Sequence, residues 1–144
     1  MLMRIGRSVA LTLMLLAVAV PQSGAAGLGG TIQYASGGGL TGARRAMTIK
    51  ADGRGTITDS APEAKRSFKL TATERRTLAA AIRKADLAHV RSPKPSEGAD
   101  LIGYAISYRG HEVRWDSISY RKLPPDVKAL ATRLGKLAAK YRQR

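Results

Sequence analysis

Apolar and polar residues alternate in several short segments of the chain, which is the period of β-strands with one buried face. The predicted strands cover residues 31–34, 45–50, 55–58, 67–70, 102–108 and 113 to about 119. Asp52-Gly53, between the second and third of these, is a strong hairpin signal because both central positions of a tight turn favour positive φ. Residues 60–66 lack the alternation and are predicted to form an irregular connection before a brief edge strand.

Two further segments have the period of amphipathic helices. Thr71 and Glu74 fit a capping box at the start of the first helix, whose apolar positions are Leu78, Ile82 and Ala85. Pro124-Pro125-Asp126 opens the second, since proline is tolerated in the first turn. Hairpin strands with two such helices predict an α+β fold, a single two-layer domain with both helices packed on a mostly antiparallel sheet.

The first 26 residues have the three-part pattern of a secretory signal peptide. Arg4 and Arg7 give a basic start, an apolar run covers residues 9–20, and small residues at 23–26 offer a cleavage site. The run is shorter than the ~20 residues that a membrane span needs. We therefore expect an exported protein, periplasmic or extracellular, whose mature domain covers residues 27–144.

The mature domain is strongly basic and contains no cysteine. Removing the leader takes away two of the 25 basic residues and none of the 10 acidic ones, which leaves a net charge of +13. The basic residues are spread out without interleaved aromatic residues, so together with export they predict no nucleic-acid partner. We interpret them mainly as a solvated surface, with weak binding to an anionic envelope surface or acidic protein as the alternative. Without cysteine there is neither a disulfide framework nor thiol chemistry.

The sequence offers no arrangement of residues that predicts catalysis. His89 and His111 belong to no HExxH pair, and we expect each to be an exposed or capping side chain. The carboxylates lie mostly singly in turns, and the glycine-rich stretch precedes a strand rather than the helix that a phosphate loop requires. We therefore expect a monomeric protein that is not an enzyme and uses no cofactor or metal.

The glycine-rich stretch resembles the opening of the emfourin (protealysin inhibitor) family. The matching residues are Ile32-x-Tyr34-x-Ser36-Gly37-Gly38 followed by Leu40-Thr41-Gly42-x-Arg44. Later landmarks follow in the family's order: Leu70 before a Leu78-containing helix, Gly98-Ala99-Asp100 before Tyr104-Ala105-Ile106, the Gly110 turn and a closing Pro-x-x-Val-x-x-Leu. The resemblance covers about residues 32–141 and implies an inhibitor of thermolysin-like zinc metallopeptidases.

Two features depart from the family. Relatives carry an aromatic residue soon after Ser-Gly-Gly, where this chain has Gly39 and Leu40. The founding member is intracellular, whereas this chain carries an export signal, which moves the expected target out of the cytoplasm.

The resemblance implies a protease-contact loop made of Ser36, Gly37, Gly38, Gly39, Leu40, Thr41, Gly42, Arg44 and Arg45. Thermolysin-like enzymes prefer a bulky apolar side chain just after the scissile bond, so Leu40 is the expected anchor. Glycines beside it let the backbone approach closely, with nearby carbonyls facing the open coordination position of the enzyme's zinc. Arg44 or Arg45 is expected to meet enzyme carboxylates at the rim.

Two alternatives remain open at this point. In the structural one, the loop is only a corner between strands, and Leu40 folds onto the core. In the functional one, the protein is a non-catalytic module that binds the envelope, or serves a structural role, through its basic surface.

Overall fold

The structure is a computed structural model that describes residues 27–144. The predicted signal peptide, residues 1–26, lies outside the described residues. The strands are β1 (Ile32–Gly38), β2 (Arg44–Ile49), β3 (Arg54–Ser60), β4 (Glu63–Lys69), β5 (Ile102–Tyr108) and β6 (His111–Asp116), and the helices are α1 (Ala72–Ala85) and α2 (Pro125–Arg142). Within residues 27–144, no helix is long and apolar enough to cross a membrane.

All six strands belong to one antiparallel sheet, in the order β4-β3-β2-β1-β5-β6. The first four strands form a meander, and α1 carries the chain from the β4 edge back to β5, which pairs with β1. Both helices pack on the same face of this sheet, so the predicted α+β, two-layer architecture is confirmed.

The core lies between the sheet and the helices. The strands contribute alternate residues, all at most 2 % exposed: Ile32, Met47, Ile49, Ile57, Ile106 and Val113. The helices contribute the apolar stripes that their 3.6-residue period predicts, with Leu78, Val127, Leu130 and Leu134 fully buried. Every second strand residue therefore faces away from the helices.

The capping box predicted at the start of α1 is confirmed. The Thr71 side chain accepts a hydrogen bond from the Glu74 amide at 3.1 Å, and the Glu74 carboxylate accepts one from the Thr71 amide at 2.9 Å. Pro125 takes the first turn of α2, as predicted.

The irregular connection predicted for residues 60–66 is wrong. β3 continues to Ser60 and β4 begins at Glu63, so only Ala61 and Pro62 join the two strands. Because β4 lies at the edge of the sheet, most of its side chains remain in solvent, and only Ala64 and Phe68 are partly buried. The strand therefore has no apolar alternation to show in the sequence.

The hairpin predicted at Asp52-Gly53 forms between β2 and β3, but its turn differs from the predicted geometry. Of that pair only Gly53 has positive φ, at 87°, because the connection is a longer loop in which the Gly53 amide donates to the Lys50 carbonyl. The turn with two positive φ values joins β5 to β6, with Arg109 at 51° and Gly110 at 79°.

β6 ends at Asp116, earlier than the predicted Ser119. The Asp116 carboxylate accepts hydrogen bonds from the amides of Ile118 and Ser119, at 2.9 and 2.7 Å, which turns the chain away from the sheet. Hydrogen bonds from the Ser96 and then the Ser119 amide hold the pKa of Asp116 well below its usual range. This ionised carboxylate fixes the corner that follows the strand.

The two borders of the sheet are protected differently. Beside β6, the Ser92 hydroxyl accepts from the Arg114 amide at 2.9 Å, and Ser96 donates to Asp116. The β4 border carries exposed charged side chains, including Lys65, Arg66 and Lys69.

Candidate functional site

The glycine-rich stretch is divided between a strand and a turn. Ser36, Gly37 and Gly38 belong to β1, where Gly37 pairs with Arg44 on one side and Gly103 on the other. The predicted end of the strand at Tyr34 is therefore wrong. Glycine has little strand preference of its own, but β1 is central and both neighbouring strands hold it in the sheet. The connection itself consists of residues 39–43.

The connection is a compact turn that needs its glycines. The Gly42 amide donates to the Gly39 carbonyl at 3.2 Å, which places Leu40 and Thr41 at the two corners. Gly39 and Gly42 have φ of 71° and 61°, in the left-handed region that favours glycine. At Gly38, where φ is 106°, a side chain would lie 2.8 Å from the Leu101 carbonyl oxygen.

The turn is tied to its neighbours on both sides. The Gly39 amide donates to the Leu101 carbonyl at 3.3 Å, just before β5. The Arg44 amide donates to the Ser60 hydroxyl at 2.8 Å, at the end of β3. Because these contacts already order the backbone, binding a partner here costs less conformational entropy than ordering a free glycine loop.

Leu40 is 89 % exposed at the tip of this turn. The alternative in which Leu40 folds onto the core is therefore wrong. Leaving a leucine in water forgoes about 1.5–3 kcal/mol of burial energy. That energy is available to a partner that covers the side chain.

Two other exposed large apolar side chains lie on segments that meet this end of the sheet. They are Ile102 at 40 % and Ile118 at 46 %, and with Leu40 we call them the apolar end patch. Ile102 begins β5 beside Gly38, and its carbonyl accepts from the Ser117 amide at 3.0 Å, which brings the 117–120 segment close. Sequence reasoning missed these residues because Ile102 and Ile118 fell within predicted strands, where isoleucine is expected to be buried.

Arg44 and Arg45 point to opposite faces of the sheet. Arg45 lies on the helix side, where its Nε is 3.5 Å from the Asp59 carboxylate, which also lies 3.3 Å from Nε of Arg142. Arg44 lies on the open side, and within residues 27–144 no carboxylate is within ion-pair distance of it. Of the two predicted rim arginines, Arg44 is thus the one whose charge is available to a partner protein.

The residues considered for catalysis or metal binding are not brought together. His89 lies 2.8 Å from the Asp86 carboxylate just after α1, and His111 is exposed at the start of β6. In the described part of the chain, no three histidine or acidic side chains are grouped so as to hold a metal ion.

No family model matches this chain, and no curated protein matches it significantly. The resemblance to the emfourin family therefore rests on the order of the sequence motifs.

Proposed function

We propose that this chain is an exported inhibitor of a thermolysin-like zinc metallopeptidase and binds the protease cleft through residues 36–42. The observation that carries the proposal is the 89 % exposure of Leu40 at the tip of a turn whose backbone is already ordered. The motif resemblance supplies the class of target, and the turn supplies a side chain that suits the cleft of that class.

In this proposal Leu40 enters the apolar pocket that accepts the residue after the scissile bond. Gly39 and Gly42 carry no side chains, so the walls of the cleft can approach the turn closely. The carbonyls beside Leu40 then face the open coordination position of the enzyme's zinc. The Gly42–Gly39 hydrogen bond keeps the turn from adopting the extended conformation of a substrate. The turn therefore binds with Leu40 as its anchor.

The surroundings of the turn suit the rim of such an interface. Ile102 and Ile118 extend the apolar contact around Leu40, since exposed apolar side chains grouped together are typical of binding surfaces. Arg44 stands at the root of the turn and supplies a positive charge for enzyme carboxylates. Charges at such a rim affect the association rate more than the affinity.

The experiment measures the inhibition constant against thermolysin-like enzymes, using the chain without residues 1–26 and its Leu40→Ala and Leu40→Met variants. Truncation to alanine removes most of the buried leucine surface, so we expect inhibition at least about tenfold weaker. Methionine has a similar apolar volume and is expected to retain inhibition within about threefold.

Lys50→Ala is the matched control, because Lys50 is exposed in the β2–β3 connection at the opposite end of the sheet. It should inhibit as the parent does. Absence of inhibition by the parent chain would overturn the proposed function. Equal inhibition by the parent and Leu40→Ala would instead overturn the Leu40 contact alone.

A further inference from the structure

The sheet face opposite the helices carries a trough with a floor of small residues. Ala35 pairs with Ala46 on one side and Ala105 on the other, and Gly37 pairs with Gly103 in the next row. These positions alternate with the buried residues of the same strands, so they face away from the helices. The trough has a volume of about 1070 Å³, and all the residues that line it belong to the six strands.

Positively charged side chains frame this floor. The row of alanines continues through Thr58 to Lys65 on β4 and in the other direction to Arg114 on β6. Arg44 stands in the neighbouring row, opposite Gly37, and the acidic residues on the same face include Glu63 on β4 and Glu112 on β6. Arg114 also pairs with Glu112, but its side chain remains 74 % exposed.

The spacing of the frame fits an extended polypeptide. Lys65 and Arg114 are five strand intervals apart, which corresponds to roughly 24 Å at the usual spacing of strands. An extended chain of about seven residues covers that distance. Along this row, strands β2, β1 and β5 carry side chains no larger than a methyl group, and Thr58 on β3 is the largest side chain between Lys65 and Arg114. Arg44 lies in the next row, beside Gly37.

We propose that the trough binds an acidic, extended segment of a partner protein. Its carboxylates would meet Lys65, Arg44 and Arg114, while its backbone would lie over Ala35, Ala46 and Ala105. The proposal does not depend on protease inhibition, because the trough lies on a face of the sheet and the apolar end patch lies at its end.

Other occupants fit less well. A second copy of this chain would set the same cations against each other, and residues 1–26 contain no acidic residue. By strand register, the aromatic residues of β1, β4, β5 and β6 all face the helix side, so the floor offers no ring on which a sugar could stack. A recessed floor also cannot lie flat on a membrane.

The test measures binding of a labelled ten-residue peptide of alternating aspartate and alanine to the chain without residues 1–26. The double variant Lys65→Glu with Arg114→Glu should weaken binding at least about tenfold, since two attractive charge contacts become repulsive. Ala46→Trp should weaken binding similarly without changing any charge, because the indole fills the floor. Raising the salt concentration from about 0.05 M to about 0.5 M should weaken binding by the parent.

The matched control is Arg83→Glu with Lys84→Glu, which changes the net charge equally on the exposed side of α1. It should bind the peptide within about threefold of the parent. Equal loss in the two double variants, or unchanged binding by Ala46→Trp, would show unspecific charge attraction and overturn the proposal. So would binding of anionic vesicles or an anionic polysaccharide in preference to the peptide.

Discussion

At the scale of single residues, Gly55 and Phe68 explain how the edge strand β4 is held. They are directly opposite in the β3–β4 pair, and the Phe68 ring covers the position where a side chain of Gly55 would stand. The other side of the ring stacks on Tyr141 of α2, with ring centroids 4.4 Å apart. A glycine in the strand thus makes room for the contact between the sheet edge and the last helix.

Gly55→Ala is predicted to lower the free energy of unfolding by about 2 kcal/mol, because the added methyl group overlaps the Phe68 ring. Urea denaturation measures the change. Gly103→Ala is the control: it is also a strand glycine, but its added carbon would lie 3.7 Å from the nearest atom, the Gly37 oxygen. We expect a change below about 0.5 kcal/mol there. Equal losses would contradict the role of the ring.

Gly135→Ala is predicted to stabilise the protein by about 0.5–1 kcal/mol, because alanine is the better residue within a helix. Gly135 lies inside α2, and its added carbon would be 3.7 Å from the Tyr34 hydroxyl oxygen, an ordinary contact. Thermal unfolding should show a higher midpoint. A lower midpoint would mean that α2 cannot accept a methyl group beside Tyr34.

At this scale the sequence predicted a lone aliphatic side chain among glycines but left its direction open. A glycine-rich turn can hold Leu40 against the core or away from it, since either is sterically allowed. The choice depends on hydrogen bonds to Leu101 and Ser60, which are about 60 and 20 residues further along the chain. These contacts cannot be predicted from the residues around Leu40.

At the scale of elements, Glu74 joins the start of α1 to the end of α2. Beyond its capping role, it accepts hydrogen bonds from Lys140 and from the Tyr141 hydroxyl. Burial opposes the charged form, but the bonds from Lys140, Tyr141 and the Thr71 amide outweigh it and lower the pKa of Glu74 to about 2. Burial and the bond to Glu74 raise the pKa of Tyr141 to about 12.

Glu74→Gln is predicted to lower the free energy of unfolding at pH 7 by about 2 kcal/mol. This loss lies between the losses that are typical when an exposed and a buried ion pair are broken. Lys140 and Tyr141 lose their charged partner while remaining in place. Glu112→Gln removes the carboxylate of a more exposed pair, with Arg114, and should cost less than about 0.5 kcal/mol. Chemical denaturation compares the two variants, and a larger loss for Glu112→Gln would contradict the prediction.

The same carboxylate predicts the stability in acid. Because its pKa is lowered on folding, its contribution is complete above about pH 4.5 and is lost as the pH falls toward 2. Asp116 loses its contribution in acid as well, so the parent should lose stability steeply below about pH 4.5. Glu74→Gln should show a shallower loss, retaining the share of Asp116. Denaturation midpoints measured across this range test it, and equal slopes would contradict it.

The elements that sequence predicted best are those with strong local signals. The capping box, the apolar stripes of α1 and α2 and the alternation of β5 all fix their structure within a few residues. The edge strand predicted at residues 67–70 overlaps β4, but the first half of β4 and the end of β1 were missed because pairing with neighbouring strands, rather than their own side chains, holds them in the sheet. The contacts of Glu74 with Lys140 and Tyr141 could not be predicted either, because these residues are 66 and 67 positions away in the sequence.

At the scale of the whole molecule, the two-layer fold follows from composition and pattern, but the trough does not. The two helices have apolar stripes to bury, and the hairpin strands form a sheet with one apolar face. Packing the helices on that face gives the two-layer architecture. The trough requires Ala35, Ala46 and Ala105 to fall in one row, and a shift of one residue in register would turn them toward the helices. The proposed binding of an acidic peptide therefore depends on the assembled sheet, whereas the proposed role of Leu40 depends on a single turn.

The guarded borders of the sheet restrict how other chains can join this protein. Ser92 and Ser96 lie along the edge strand β6, and exposed lysine and arginine side chains lie along the edge strand β4. Both arrangements disfavour main-chain pairing with a strand of another protein. The two binding surfaces proposed above accordingly use side chains, at the tip of the β1–β2 turn and on the open face. The same protection disfavours edge-to-edge assembly of concentrated protein into fibres.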